Sequence, residues 1–197
     1  MDYIIKFKKA YTWEGKEYTE LDLSGLDNLK IKDAIEIQSE LFDEQETASA
    51  LLSETTTSFA RKLACRATGM PIEFFKLMPI PITRQVTAKI QEYLGAAGRE
   101  EVKGNIYKLQ KTYLYKDKTY EKIDVSGLSE LNSMNLSAAE NRIAAEGFLI
   151  TATQFNYLFA MVMLSQATGL DEEFFKGLPI SELLGLKGVA NNSDFFE

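Results

Sequence analysis

Two aspartates recur in one context, Asp22 and Asp124, each standing just before a Ser-Gly-Leu. Carboxylates in a repeated setting can serve as general acids and bases or hold a metal. Neither of these has a His, a Cys or a second carboxylate recurring beside it at ligand spacing. An Asp-x-Ser-Gly string also closes a strand, because the side chain accepts backbone N–H groups in the turn, and that structural role is the one expected. Asp171-Glu-Glu173 has the density of a metal cluster, yet acidic residues at a helix start are favourable with the helix dipole by about 0.3–1 kcal/mol. Lys6, Lys8, Lys9, Lys30 and Lys32 could suggest a polyanion. They are spread out, and the chain of 197 residues carries a net charge of −7, which points to solvated faces instead. The Gly95-x-x-Gly98 pair is no phosphate loop. The chain has no histidine and one cysteine, Cys65. Nucleophile–imidazole systems, internal disulfides and Cys/His zinc sites are therefore excluded. No catalytic residue, cofactor site or metal site is expected.

The elements that would position these residues follow from periodicity. Tyr3, Ile5 and Phe7 alternate with Lys6 and Lys8, and Thr19, Leu21 and Leu23 with Glu20 and Asp22, predicting two strands. Glu14-Gly15 suits the tight turn between them. Ile123 and Val125 keep this phase later in the chain, with Lys116-Asp117 at the turn. Ile31, Ile35, Gln38 and Phe42 share a helical face, with Ile37 and Leu41 beside it. Ser137-Ala-Ala-Glu140 has the spacing of a capping box for the matching helix. Phe59, Leu63 and Ala67 step by four, Gly69 suits a C-terminal cap, and Pro71 suits the start of a short helix carrying Phe74-Phe75. Ile82, Val86, Ile90 and Leu94 predict a last helix, whose later counterpart is interrupted by Gly185 and Gly188. Residues 44–58 stay polar and unassigned.

These elements occur twice because the chain is a duplication. Tyr18-Thr-Glu-Leu-Asp-Leu-Ser-Gly-Leu26 returns as Tyr120-Glu-Lys-Ile-Asp-Val-Ser-Gly-Leu128 at an offset of about 102, with roughly 11 of 26 positions matching over that block. Ala67-Thr-Gly-Met-Pro-Ile-Glu-Phe-Phe-Lys76 returns as Ala167-Thr-Gly-Leu-Asp-Glu-Glu-Phe-Phe-Lys176 at about 100, with roughly 11 of 22. Two residues are therefore lost between the blocks. The organisation expected is a first repeat over 1–97, a linker over 98–104 and a second repeat over 105–197. Each repeat is a β-hairpin followed by three to four helices, giving an α+β fold. The first residues lack the basic, apolar and small-residue order of a secretory signal, and residues 158–164 are far short of the roughly 18 needed to span a bilayer, so a cytoplasmic protein is expected.

One difference between the repeats bears on binding. Thr57, Ser58, Arg61 and Lys62 correspond to Tyr157, Leu158, Met161 and Val162. The first set is polar, as a solvent-facing helix face should be. The second makes its helix apolar nearly all round, so that face must be covered. It packs either against the rest of the chain or against a partner or second copy, for which adaptable methionines are suited.

The stretch Lys8-Lys-Ala-Tyr-Thr-Trp-Glu-Gly-Lys-Glu-Tyr-Thr-Glu-Leu-Asp-Leu-Ser-Gly-Leu26 resembles the opening of bacteriophage tail assembly chaperones, including those of prophages. Their pattern is two lysines, a proline and an aromatic, then E-G-K-E-Y, then hydrophobic-D-L-S-G-L, followed by helices and a segment like residues 67–75. The resemblance covers nearly all of the first repeat and, more loosely, the second. Ala10 and Thr112 stand where the family has proline, and the family pattern has one repeat where this chain has two. The resemblance implies a non-enzymatic protein of the host cytoplasm, absent from the finished virion. It implies that the chain binds and solubilises the tape measure protein and helps recruit the tail tube protein. Tyr157, Leu158, Met161 and Val162 are then candidates for partner binding or homo-oligomer formation, with neither nucleic acid nor membrane as partner. The alternatives are a structural tail or connector protein retained in the particle and, more remotely, an enzyme with an unrecognised carboxylate site.

Overall fold

The hairpin turns set the architecture. Glu14 and Gly15 take φ of +47° and +76°, and Lys116 and Asp117 take +47° and +61°, so both pairs use the left-handed region that two-residue hairpins require. In the computed structural model, which describes residues 2–96 and 104–192, these turns join β1 (Ile4–Trp13) to β2 (Lys16–Asp22) and β3 (Ile106–Tyr115) to β4 (Lys118–Asp124). Each pair forms an antiparallel two-stranded sheet of its own. Register slips in both at the same place, between Lys6 and Tyr11 and between Lys108 and Tyr113.

After each hairpin comes a 3-10 turn holding the Ser-Gly-Leu and then a run of helices. In the first repeat these are α1 (Ile31–Asp43), α2 (Thr47–Leu51), α3 (Thr57–Thr68), α4 (Ile72–Lys76) and α5 (Ile80–Leu94). In the second they are α6 (Ser133–Ala145), α7 (Tyr157–Thr168), α8 (Glu172–Gly177) and α9 (Leu183–Ala190). The fold is α+β with the expected twofold repetition. The extra one-turn helix α2 lies in the polar stretch that periodicity left unassigned, and the two-residue loss falls there too. Residues 98–103 of the expected linker lie outside the described residues.

Several local expectations hold for stated reasons. Gly69 and Gly169 cap α3 and α7 with φ of +70°. Ile82, Val86, Ile90 and Leu94 are the buried face of α5. One cap differs: α6 begins a turn before Ser137, with Asn132 accepting from the Met134 N–H and Asn135 reaching back to the Asn132 N–H. The helix pair needs no serine or glutamate there, because two asparagine carbonyls do the same work. The glycines of α9 do not stop it. Gly185 is where the Tyr107 hydroxyl passes, and a Cβ would overlap it.

The hairpins stand on aromatic posts. Phe74 lies under Tyr11, Trp13 and Tyr18 at ring separations of 5.1, 6.0 and 5.0 Å. Phe174 lies under Tyr113, Tyr115 and Tyr120 at 5.5, 5.4 and 4.7 Å. Edge-on pairs of this kind contribute about 0.5–1.5 kcal/mol each beyond the area buried. One apolar core runs through both repeats, from Ile5 and Leu41 to Met161 and Leu186.

Candidate functional site

The repeated aspartates are turn formers. Asp22 accepts the Ser24 N–H at 2.8 Å and Asp124 accepts the Ser126 N–H at 2.9 Å. That donated bond holds the exposed Asp124 carboxyl below its ordinary value. Asp171 sits at the N-cap of α8, where it accepts from the Tyr115 hydroxyl and pairs with Lys116. Among the described residues no group of three or more His, Cys, Asp or Glu stands close enough to hold a metal. Cys65 is half-buried, and desolvation pushes its thiol up to about 11, so it is a poor nucleophile.

The four residues singled out on α7 meet the rest of the chain. Tyr157 and Met161 are 0 % exposed, Leu158 2 % and Val162 5 %. As a surface for another protein this face is therefore corrected to an internal one. The reason is that α1 of the first repeat lies across it. The Tyr157 N–H donates to Gln38 Oε1 at 3.0 Å, and Gln38 Nε2 donates to the Phe155 carbonyl at 3.0 Å. Leu158 and Val162 join Ile143 and Phe148 in a cluster completed by Ile35 and Phe42 from α1. Phe42 meets Phe148 edge-on at 5.5 Å.

A polar rim closes this junction. The Tyr157 hydroxyl donates to Glu54 at 2.8 Å, and Lys187 pairs with the same carboxylate. Burial pushes the Glu54 carboxyl up, but Lys187 and Tyr157 outweigh it and hold it below its ordinary value. Burial and the neighbouring Glu54 raise the Tyr157 phenol well above its ordinary range, so it stays a donor. In the first repeat α3 makes an ion network with α1 and the residue after it instead. Arg66 reaches Asp33, Glu36 and Glu40, and Lys62 reaches Glu40 and Glu44.

The surface left open lies on the first repeat. Where β1 slips register, residues 8–12 stand off from the N-terminal turn of α5 and leave a groove of about 480 Å³ against Pro79, Pro81, Ile82 and Gln85. Its walls are mostly apolar and its rim carries Lys8 and Lys9. In the second repeat Glu182 stands where Ile82 does, accepting from the Tyr107 hydroxyl at 2.8 Å and the Gln110 N–H at 2.7 Å. That carboxylate stitches the strand to the helix. Periodicity missed the groove, although the Lys8-Lys9-Ala10 run already breaks the alternation that a straight strand would keep.

No family model matches this chain, nor does any curated protein or solved structure. No helix among the described residues is long and apolar enough to cross a membrane.

Proposed function

We propose that this chain is a bacteriophage tail assembly chaperone, which binds the tape measure protein, keeps it soluble and helps recruit tail tube subunits. It works in the host cytoplasm, leaves no copy in the virion and catalyses nothing. The observation that carries the reading is the signature shared by residues 8–26 and 67–75 and repeated in the second half. Its two blocks are packing partners. Gly25 lies so close to the Ala67 carbonyl that a Cβ would overlap it, and Gly127 stands the same way to Ala167. The resemblance thus rests on a pair of contacting segments.

The groove between β1 and α5 suits such a client. A long amphipathic helix exposes an apolar stripe that aggregates unless covered, and a groove with apolar walls and a cationic rim takes that stripe together with flanking acidic residues. A strongly acidic carrier keeps the complex soluble.

The test is co-expression with the tape measure protein encoded nearby, followed by size exclusion with light scattering. A soluble complex is expected, with the tape measure protein insoluble alone. Ala10→Arg, which fills the groove from an exposed position, should abolish the complex while leaving the chain folded. A stable homo-oligomer that ignores the tape measure protein and co-purifies with finished particles would instead establish a structural tail component.

A further inference from the structure

The two hairpins carry the same register slip, and the chain itself fills it in one of them. In the second repeat the Gln110 N–H donates to one oxygen of the Glu182 carboxylate at 2.7 Å, and the Tyr107 hydroxyl donates to the other at 2.8 Å. Glu182 and Tyr107 are each 2 % exposed, so this is a carboxylate seat already taken. A buried carboxylate is tolerated where donors satisfy it, and here strand and side chain both do so.

In the first repeat Lys8 stands for Gln110, Ile5 for Tyr107 and Ile82 for Glu182. The slip lies between Lys6 and Tyr11 as it lies between Lys108 and Tyr113, so the Lys8 N–H faces the start of α5. Ile82 brings no carboxylate to it, none of the residues lining the groove is acidic, and about 480 Å³ stays open there. The second donor has moved from strand to helix. Where the Tyr107 hydroxyl passes Gly185, the first repeat has Ile5 without a hydroxyl and Gln85 in the glycine's place. The half-buried Gln85 lines the groove, and its amide makes no hydrogen bond among the described residues. Lys8 and Lys9 are exposed on the rim, with no ion pair among the described residues. A backbone N–H, an amide and two ammonium groups with no acid opposite make a seat for a carboxylate, and charge-assisted bonds of that kind are roughly twice as strong as neutral ones.

We propose that this groove takes an Asp or Glu side chain from an apolar client segment, seated at Lys8 as Glu182 is seated at Gln110. The second repeat supplies the anion from its own chain, and the first leaves it to the client, so each chain takes one acidic anchor. Pro79, Pro81 and Ile82 cover the apolar residues beside the anchor. This inference rests on the proposed function for the client, the tape measure protein, and adds what the groove selects in it.

Fluorescence anisotropy of overlapping tape measure peptides against the whole chain tests it. A peptide that binds should lose at least ~10-fold in affinity when one particular Asp or Glu becomes Asn or Gln. Ile82→Glu, which gives the first repeat the internal carboxylate of the second, should weaken binding as much. Where circular dichroism shows that variant unfolded, Lys8→Glu with Lys9→Glu, at two exposed positions, replaces it with the same expectation. Peptides that bind and tolerate the loss of every acidic residue overturn the proposal and leave the chaperone reading standing. So does binding that weakens as the chain is concentrated, because a second copy would then hold the seat. If short peptides fail to bind, the same variants are read on the co-expressed complex: its loss supports the seat and its survival overturns it. No complex even with wild type sinks the chaperone reading, and this inference with it.

Discussion

At the residue scale, the positions doing most are the ones whose size or charge has one solution. Gly25 and Gly127 are glycines because a helix carbonyl occupies the space a side chain would take. Gly25→Ala and Gly127→Ala should each cost about 1–3 kcal/mol by forcing the hairpin off its helix. Urea denaturation would show this as a lower midpoint, whereas alanine at Gly188, which lies in α9 with open space around it, should raise the midpoint slightly, by about 0.5–1 kcal/mol of stability. Glu54 is the charge counterpart. Its carboxyl is held below its ordinary value of 4.5, chiefly by Lys187 once burial is offset. A depressed carboxyl stabilises the fold fully above its unfolded value and loses that contribution as pH falls through the folded one. Glu54→Gln should therefore lower stability by about 1–3 kcal/mol near neutral pH. The gap to wild type in thermal melts should close as pH falls below 4.5. A gap that stayed constant with pH would mean that packing, and not the ion pair, is what the substitution removes.

At the element scale, strands, turns and most helix caps were legible because they depend on neighbours in sequence. Glu14-Gly15, Gly69 and the four-residue steps of α5 each state their own geometry. What escaped were features set by distant partners. The register slip in β1 depends on how α5 sits beside it, and the tolerance of Gly185 depends on Tyr107 from another element. The face of α7 shows the boundary between the two. Its residues declared that it must be covered, since no polar side remained, but α1 as the cover lies more than a hundred residues away. That placement has a consequence. Leu158→Glu with Met161→Glu should prevent folding, because two carboxylates would be buried without cations, each costing several kcal/mol. The same change at the matching positions of α3, Ser58→Glu with Arg61→Glu, should leave a folded chain, because those positions are only half-buried and already polar. Far-UV circular dichroism of the two double variants decides it; a folded, associating form of the α7 variant would return that face to the surface.

At the scale of the whole molecule, the repeats are two in sequence and one in packing. The second repeat carries an apolar face, residues 157, 158, 161 and 162, that α1 of the first repeat buries together with α6 and α9 of the second. Leu29, Ile31 and Ile35 of the first are covered in turn by the second. Separating them would return several large apolar side chains to water, at roughly 1.5–3 kcal/mol each. A small domain has about 5–15 kcal/mol of stability in all, so neither half should stand unaided. The single tryptophan, Trp13, allows a direct test, because it reports only the first repeat while far-UV circular dichroism reports both. Trp13 packs edge-on against Phe74, so its fluorescence follows the hairpin's attachment to the core. In guanidinium the fluorescence and dichroism transitions should coincide, with the same midpoint and slope. A second dichroism step that leaves the fluorescence unchanged would show that the repeats unfold separately. The inter-repeat junction would then be a weak contact.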